Sequence, residues 1–432
     1  MAAGKSSSAY VISAIIAAIA LGAGFVLGYL LRPHIASDIT DTNLPHDAGT
    51  IVDSRGNYSF SSMESCGEST KDDPDMNRYL ANCQSDVCQA SSCYIPQPSH
   101  YVVYHVDTHS IVIDGKLDEQ AWREVSWSAP FVDIRGEGSP TPRYETKMKL
   151  RYDDVNLYLA FYMEEPDVWA NITKHDGPVY GDNCLQILID TKQNNHKYKE
   201  IVMNALGTVS DIMMTKPYID DGEQQIIWES DVKRSIYIDG SINDPNKPST
   251  FWTVEMAIPF KSLFFGVKHK HSVPSDRDTW RANFVRVEYE VIANKGKYEK
   301  KAGGGTDLWQ WYANGVINSH IPDIWGLIQF RKLPANSTEF QISKYWVVSN
   351  ALSEIFRAER AYKAVTGRYT DKLDLLHIPP YVLSKQCIQK IDIKLDWSGF
   401  VVTVTPVDRT LKQGHIRTDR FTWYGDDKDE VY

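Results

Sequence analysis

Alternating polar and apolar side chains run through residues 99–333 and predict a series of β-strands. Residues 147–152 alternate, residues 153–156 (DDVN) have the composition of a turn, and residues 157–163 return as a second strand. Segments rich in β-branched, aromatic or alternating residues predict further strands at 101–106, 185–189, 201–203, 235–238, 251–258 and 281–292. Many short strands separated by turn signals favour a mainly β protein, built as a two-sheet β-sandwich.

The pattern changes in residues 334–432. Apolar and polar positions recur at helical spacing from residue 343 to residue 366, and Gly367 stands where a helix C-cap is expected. Residues 391–395 and 401–404 then have the composition of two strands. This order predicts a small α+β domain, a helix followed by strands, after the sandwich.

The N-terminus predicts a membrane anchor. The stretch from Ala9 to Leu31 contains no charged side chain and is long enough to span a bilayer. Lys5 precedes it and Arg32 follows it, which favours a short cytosolic tail over residues 1–8 and an uncleaved signal-anchor over residues 9–31. A cleaved signal peptide is the alternative. The body of this single-pass membrane protein is then expected to be extracellular or luminal.

Residues 32–98 have the composition of a stem, because they are rich in Ser, Asp, Asn and Gly and lack sustained periodicity. Four cysteines fall within this stem: Cys66, Cys83, Cys88 and Cys93. The cluster predicts two disulfides in an oxidising compartment, with a zinc site as the alternative. Two further cysteines, Cys184 and Cys387, stand alone. Three sequons offer candidate glycosylation sites at Asn57, Asn171 and Asn336.

The charge of the chain argues against nucleic acid as a partner. The 432 residues carry a formal net charge of −10 and contain no long basic run, whereas nucleic-acid binding needs clustered Lys and Arg. Aromatic residues make up 12% of the chain, including 12 Trp and 24 Tyr. This content fits a protein that stacks rings on sugars, although most of these side chains are expected in sandwich cores and edges.

A series of short motifs between residues 113 and 330 falls in a recognisable order. The motifs are IDGKLDEQAW (113–122), LYLAF (157–161), DNCLQILID (182–190), NALG (204–207), WTVEMAIPF (252–260), WRANFVR (280–286) and HIPDIWG (320–326). Together they resemble the family 9 carbohydrate-binding module of the DOMON-like superfamily. The resemblance implies that residues 99–333 form a β-sandwich that binds carbohydrate at its surface.

The resemblance also implies a sugar slot. In this family two Trp rings sandwich a terminal sugar, and an Arg, a carboxylate and an Asn bind its hydroxyls. The matching positions here are Tyr180 for the first ring, Gln186 for the carboxylate, Val202 for the Arg and His320 for the second ring. The slot therefore departs from the family pattern in both charge and ring type. A sugar bound elsewhere and a fold that has lost sugar binding are both open.

Other residues offer further ligands. Trp309 and Trp311 follow a Gly-rich loop, and at most one of them is expected to be free to stack on a sugar. The resemblance implies structural calcium, whose nearest candidate ligands are Asp153, Asp154, Asp182 and Asp190. For Asp153 and Asp154 a plain turn is the alternative. Haem, held between Met and His as in DOMON-like cytochrome domains, is a less favoured hypothesis for His175, His196, His320, Met203, Met213 and Met214.

The sequence lacks the signatures of common catalytic sites, namely the Gly-x-Ser-x-Gly elbow, the phosphate-binding Gly loop and His-Glu-x-x-His. Glu255 in the WTVEMAIPF motif is expected to satisfy backbone groups near Pro259. The favoured function is a non-catalytic module that binds a glycan or polysaccharide end. The alternatives are a structural or protein-interaction module, with a protein partner for the C-terminal domain, and a glycosidase-related accessory component of carbohydrate catabolism.

Overall fold

The computed structural model describes residues 97–267 and 272–426, and the backbone of one short antiparallel pair, β1 (Ile51–Val52) with β2 (Tyr58–Ser59). The predicted anchor from Ala9 to Leu31 lies outside the described residues, as do Asn57, Cys66, Cys83, Cys88 and Cys93. Within the part of the chain that is described, no helix has the length and apolar character needed to cross a membrane.

Thirteen strands pair into one mixed sheet. They are β3 (His100–His105), β4 (Val132–Asp133), β5 (Thr146–Tyr152), β6 (Asn156–Glu164), β7 (Cys184–Asp190), β8 (Lys199–Asn204), β9 (Val209–Met214), β10 (Gln224–Gln225), β11 (Lys233–Asp239), β12 (Phe251–Pro259), β13 (Thr279–Tyr289), β16 (Thr306–Gln310) and β17 (Gly326–Arg331). The order across the sheet is β10-β9-β8-β7-β13-β17-β3-β5-β6-β12-β11, and β16 pairs with both β13 and β4. A separate hairpin consists of β14 (Val291–Asn294) and β15 (Lys297–Lys300).

The prediction of a mainly β protein is confirmed, but its division into two separate sheets is wrong. Parallel pairing of β3 with β17 on one side and β5 on the other joins the two halves into one continuous sheet. The sheet curls on itself, because Leu150 and Phe161 from one half share a core with Ile187 and Phe284 from the other. The rings of Phe161 and Phe284 lie 5.6 Å apart in this main core. We call the face toward this core the inner face and the opposite one the outer face.

Two sequence motifs meet at Glu255 on β12. Its carboxylate accepts hydrogen bonds from the backbone N–H groups of Asp114 (3.0 Å) and Gly115 (2.8 Å) and from the indole N–H of Trp122 (2.8 Å). Gly115 has a φ of +90°, and a Cβ there would lie 2.6 Å from the backbone of Ile236. Burial raises the pKa of Glu255 to about 7 against the effect of these donors. Glu255 therefore has the predicted structural role, although it holds the 113–122 motif rather than the end of its own strand.

The helices in the described part are α1 (Gln120–Arg123), α2 (Phe260–Leu263) and α3 (Trp346–Thr366). Short 3₁₀ turns cover Val179–Gly181, Tyr218–Asp220, Pro322–Ile324, Leu373–Leu375 and Pro380–Leu383. Three of these turns carry or adjoin candidate site residues, so their anchoring bears directly on function.

The C-terminal segment forms the predicted helix and strands. α3 ends at Gly367, which has a φ of +78° and donates its N–H to the Lys363 carbonyl. The helix packs on an antiparallel sheet of β18 (Ile388–Asp396), β19 (Gly399–Pro406), β20 (Gly414–Arg417) and β21 (Thr422–Tyr424). Leu352 and Phe356 of the helix share a core with Val402 of the sheet. This core is separate from the main core.

The two later cysteines are in different states. Cys184 on β7 is free and buried, and burial raises the pKa of its thiol. Cys387 is disulfide-bonded, so the expectation that it stands alone is wrong. Its partner lies outside the described residues, because the other described cysteine is free.

Candidate functional site

The positions carried over from the family slot lie on the outer face of the sheet, where β7 and β8 run side by side. Leu185 and Ile187 point into the main core, so Gln186 between them points outward. On β8, Ile201 points into the core, and the adjacent Glu200 therefore faces outward as well. Nε2 of Gln186 donates a hydrogen bond to Oε1 of Glu200 at 2.5 Å. Glu200 thus supplies a carboxylate beside the position that the motif assigned to one.

His320 reaches the same carboxylate from the loop after β16. Its Nε2 lies 3.7 Å from Oε2 of Glu200, and its Nδ1 lies 3.0 Å from the hydroxyl of Tyr198. Its ring packs edge-on against Tyr218, with the centroids 4.7 Å apart. Burial lowers the pKa of His320, and Glu200 only partly opposes this, so the imidazole is neutral near pH 7. A neutral imidazole offers one donor and one acceptor to a hydroxyl group.

Two tyrosines line the rim around this carboxylate. The side chain of Tyr180 is 59% exposed and that of Tyr218 is 40% exposed. Burial, the charge of Glu200 and Tyr180 all raise the pKa of Tyr218. The hydroxyl of Tyr289 donates to the backbone carbonyl of Tyr180 at 3.0 Å and so holds its turn. We call the set Tyr180, Gln186, Glu200, Tyr218 and His320 the slot.

A chain of amide groups positions the loop that carries His320. Nδ2 of Asn283 on β13 donates to Oε1 of Gln310 (2.7 Å) and to Oδ1 of Asn314 (3.2 Å). Asn314 in turn donates to the carbonyl of Asn318 (2.7 Å), and Oδ1 of Asn318 accepts the backbone N–H of His320 (2.8 Å). His320 is therefore tied to two strands of the sheet rather than left on an unsupported loop.

The C-terminal segment holds the two turns next to the slot. Nε of Arg420 donates to Oδ2 of Asp220 (2.7 Å), and its Nη1 donates to Oδ1 of Asp323 (2.6 Å). Asp220 ends the turn that begins at Tyr218, and Asp323 lies three residues after His320. All three charged side chains are buried. One arginine therefore fixes the backbone on both sides of the slot.

Two arginines of α3 complete this ionic cluster. Nη1 of Arg357 donates to Oδ2 of Asp323 at 2.6 Å, and Nη1 of Arg360 lies 3.2 Å from Oδ1 of Asp220. Burial alone would raise the pKa of Asp323, but the neighbouring arginines hold it below its usual range. Both aspartates are thus paired with arginines from two elements of the C-terminal segment.

The slot combines the groups that hydrogen-bond a polyol. Glu200 offers a charge-assisted acceptor, while Gln186 and His320 offer further donors and acceptors. Tyr180 and Tyr218 expose aromatic faces suited to the apolar face of a sugar ring. The sequence reading missed Glu200 and Tyr218. The signal for Glu200 was a charged residue within the otherwise apolar KEIVMN strand, whereas Tyr218 has no local signal.

Trp309 and Trp311 were expected to leave at most one ring free for stacking, and both rings are buried. Trp309 is 2% exposed and Trp311 is 4% exposed, and both belong to the main core. Side chains two residues apart in an extended chain face the same side, which is why both point inward. Trp311 packs on Phe284 at 5.7 Å, and a Cβ at Gly326 would lie 2.5 Å from its ring.

The four aspartates considered for calcium do not form one group, since the carboxylate clusters found among the described residues contain none of them. Three are buried and accept backbone hydrogen bonds in their own loops: Asp153 from Val155 (2.7 Å), Asp182 from Ile172 (2.8 Å) and Asp190 from Asn195 (2.8 Å). Asp154 is exposed and lies 3.2 Å from Nε2 of His105. These contacts are those of loop-stabilising aspartates, as in the turn alternative for Asp153.

The residues considered for haem lie in different parts of the fold. Met203 and Met213 belong to the main core, while Met214 packs with Trp325 in a separate cluster. His196 packs on Phe421, and His320 belongs to the slot. The structure therefore gives no support to a Met–His pair of haem ligands among these residues.

Comparison with known proteins supports the resemblance. Residues 110–293 match the family model for carbohydrate-binding family 9, a segment that includes all slot residues except His320. No curated protein matches the chain. A putative carbohydrate-binding protein from Bacteroides uniformis ATCC 8492 is 17% identical, with a TM-score of 0.41 over 54% of this chain and 100% of its own.

Two structures of a family 9 module from Caldicellulosiruptor kristjanssonii are also similar. The complex with cellotriose is 17% identical with a TM-score of 0.32, and the complex with glucose is 16% identical with a TM-score of 0.33. Each covers 56% of this chain and 100% of its own. The chain thus contains a segment, residues 110–293, that matches the family model for carbohydrate-binding family 9.

Proposed function

We propose that this chain binds carbohydrate without catalysis, and that the slot receives the end of a glycan. The observation that carries the proposal is the carboxylate of Glu200, held by Gln186 and flanked by His320, whose ring packs on the exposed Tyr218. These groups lie together although they come from four separate parts of the chain. The match of residues 110–293, which include all of these groups except His320, to the family 9 model supports the same conclusion.

The slot suits a neutral sugar better than a charged ligand. Glu200 repels anions, and the neutral His320 adds no compensating positive charge. A sugar ring resting on Tyr180 directs its hydroxyls toward Glu200 and Gln186, and each hydroxyl both donates and accepts. Loss of such a charge-assisted bond costs about 1.5–3 kcal/mol, or roughly a 10- to 100-fold loss of affinity.

Binding is tested on the full-length chain by a glycan array and by calorimetry. The probes include glucose, cellotriose and a broad set of other mono- and oligosaccharides, each with calcium and again with chelator. We expect at least one sugar to bind, and Tyr180→Ala, Glu200→Gln and His320→Ala each to lower its affinity roughly 10-fold or more. Tyr237→Ala is the matched control, because Tyr237 is an exposed tyrosine on β11 at the opposite end of the sheet order. Binding that all three slot variants retain would contradict this location.

A protein-interaction module is the second candidate function. The segment after β9 exposes three isoleucine side chains, Ile219, Ile226 and Ile227, the first of which directly follows Tyr218 of the slot. Two results together would favour this candidate over carbohydrate binding. No sugar binds under any of these conditions, and crosslinking recovers a stoichiometric protein partner. An accessory role in carbohydrate catabolism requires sugar binding, so the experiment that tests the first proposal tests this role as well.

We further propose that the chain is displayed outside the cytosol on the predicted anchor from Ala9 to Leu31. The disulfide at Cys387 and the exposed sequon residues Asn171 and Asn336 support this proposal. Nδ2 of Asn336 donates to the Glu124 carbonyl at 2.7 Å, and a glycosylated amide keeps one N–H for that bond.

Glycan occupancy tests the topology. We expect enzymatic removal of N-glycans to increase the gel mobility of the full-length chain made in a eukaryotic secretory host, and Asn171→Gln and Asn336→Gln each to remove part of that shift. Asn246→Gln, an asparagine outside any sequon, serves as the control. A membrane-bound chain that carries no glycan, and whose body is digested by protease added to the cytosolic side of intact membranes, would contradict the proposed orientation.

A further inference from the structure

A second group of polar side chains gathers at the inner face of β9, away from the slot. His175 and Asp176 belong to the loop after β6, Asp211 lies on β9, and Glu229 lies between β10 and β11. Nε2 of His175 is 3.3 Å from Oε2 of Glu229, 3.5 Å from Oδ2 of Asp176 and 4.0 Å from Oδ1 of Asp211. Nε2 of His175 thus lies within 4.0 Å of carboxylate oxygens from three segments of the chain, and the ligand atoms of His175, Asp176 and Glu229 lie within 4.8 Å of one another.

The cluster lies on the opposite face of the sheet from Glu200. Asp211 pairs in register with Ile201, whose side chain is in the main core, whereas Glu200 pairs with Ile212. Adjacent residues in a strand point to opposite faces, so Asp211 faces inward and Glu200 faces outward. Any ligand at this cluster is therefore distinct from a sugar in the slot.

A backbone carbonyl orients the imidazole of His175. Its Nδ1 lies 3.0 Å from the backbone carbonyl oxygen of Val209. Since a carbonyl oxygen can only accept, Nδ1 carries the hydrogen, and the lone pair of a neutral ring is on Nε2. Nε2 is the atom that faces the three carboxylates. An imidazole fixed by a backbone carbonyl in this way is the usual arrangement of a histidine that binds a metal ion.

Asp211 supplies an independent indication of a ligand. Its side chain is 1% exposed, and Oδ2 accepts the backbone N–H of Ser230 at 2.6 Å. Oδ1 is fully buried and has no hydrogen-bond partner in the described part of the chain. The 4.0 Å from Oδ1 to Nε2 of His175 is too long for a hydrogen bond. A buried carboxylate oxygen without a donor is costly, and a cation placed among these atoms would remove that cost.

We propose that His175, Asp176, Asp211 and Glu229 bind one divalent transition cation of the zinc type. One imidazole nitrogen and carboxylate oxygens suit such an ion, whereas calcium prefers six to eight oxygen ligands. Tetrahedral zinc with bonds of about 2.0–2.1 Å separates its ligand atoms by roughly 3.3 Å. The distances of 3.3, 3.5 and 4.0 Å from Nε2 approach this spacing. His175 and Glu229 are exposed, so the ion can enter from solvent.

The cation has a structural consequence. It ties the loop that leads to Tyr180 to β9 and to the segment that leads to β11. A proton on His175 competes with the cation for the same nitrogen. Burial lowers the pKa of His175, but Glu229, Asp176 and Asp211 raise it above its usual value. A protonated His175 with no bound metal is therefore the alternative that an experiment must separate from the proposal.

Metal binding is tested on the full-length chain after treatment with a chelator and removal of that chelator. Zinc is added during calorimetry and thermal melting, and Co²⁺ is added in parallel to obtain the visible absorption of a four-coordinate ion. We expect zinc to raise the melting temperature, and His175→Ala and Glu229→Gln to weaken this site roughly 10-fold or more and to remove the Co²⁺ spectrum. His377→Ala and Glu223→Gln, which replace exposed residues outside the cluster, are the matched controls.

Three outcomes would overturn the proposal. In the first, neither the melting temperature nor the Co²⁺ spectrum responds to metal, so that His175 is only protonated. In the second, His175→Ala and Glu229→Gln bind the metal as tightly as the unaltered chain does, which would place the metal on cysteines or on other histidines. In the third, Asp211→Asn folds and keeps full affinity, which would exclude the buried oxygen as a ligand. Sugar binding plays no part in these measurements, so failure of the proposed function leaves them interpretable.

Discussion

Replacing Arg420 with methionine is expected to destabilise the chain by about 3–5 kcal/mol and to weaken any ligand in the slot. The guanidinium bridges two buried carboxylates, Asp220 at 2.7 Å and Asp323 at 2.6 Å. Methionine fills much of the same volume but leaves each carboxylate with only one partly exposed arginine, Arg360 or Arg357. Removing one member of a buried ionic group is costly because the remaining charges stay out of water.

The measurement is urea unfolding followed by circular dichroism, with Arg417→Met as the matched control. Arg417 lies three residues before Arg420 and pairs with Asp419 at 2.6 Å. The side chains of Arg417 and Asp419 are 31% and 27% exposed, whereas that of Arg420 is 6% exposed. Exposed pairs contribute at most about 1 kcal/mol, so the control is expected to change the unfolding midpoint little. Equal midpoints for the two variants would contradict a central role for Arg420.

The same variant separates support of the slot from direct binding. Arg420 contacts the turns that carry Tyr218 and adjoin His320, but it is buried behind them. Under conditions where the variant remains folded, its sugar affinity is expected to fall, while Arg417→Met leaves that affinity unchanged. Unchanged affinity in a destabilised Arg420→Met chain would mean that the turns hold their shape without the arginine.

Much of the fold could be predicted from the sequence because the signals are local. Polar–apolar alternation depends on neighbouring residues only, and it gave the strands around Leu150 and Phe161. The helix ending at Gly367 also has local causes, since glycine tolerates the left-handed conformation found there. The joining of the halves by β3 could not be predicted in this way, because parallel pairing links strands far apart in sequence.

The candidate site was predictable only in part. The motif order located Tyr180, Gln186 and His320, whereas the contact between His320 and Glu200 spans 120 residues and depends on sheet register. The burial of both Trp309 and Trp311 could not be predicted, because it depends on which face of the strand each side chain points to and on what covers that face. Long-range charge pairs such as Arg420 with Asp220 leave no local pattern at all, since their partners meet only after both segments have folded.

Replacing Arg286 with methionine is expected to have the largest effect on stability, about 5 kcal/mol at neutral pH. Arg286 on β13 is buried, and it donates to Glu165 (2.5 Å) and to Glu288 (3.1 Å), which are buried as well. It also donates to Oγ1 of Thr146 at 3.1 Å, and its guanidinium lies 5.2 Å from the centre of the Trp309 ring. Without the arginine, two buried carboxylates face each other with no cation between them.

The loss of stability in Arg286→Met is expected to depend on pH, and the buried Glu288 determines whether it grows or shrinks as pH rises. Burial raises the pKa of Glu288 well above its usual value, Arg286 lowers it and Glu165 raises it. Without Arg286 the folded state holds the Glu288 proton more tightly still, while the unfolded state releases it near its ordinary pKa of about 4.3. Where the folded state binds more protons than the unfolded state, stability falls as pH rises. The deficit of Arg286→Met should therefore be larger at about pH 8 than at about pH 5.

Arg143→Met provides the matched control for this pH comparison. Arg143 lies 5.8 Å from the same Trp309 ring, but it is 41% exposed and pairs with the equally exposed Asp307. Its loss is expected to cost less than about 1 kcal/mol and to vary little between the two pH values. Urea midpoints of both variants and the unaltered chain at each pH give the comparison directly. A deficit for Arg286→Met that is independent of pH would show that lost packing and hydrogen bonds, rather than the uncompensated carboxylates, account for it.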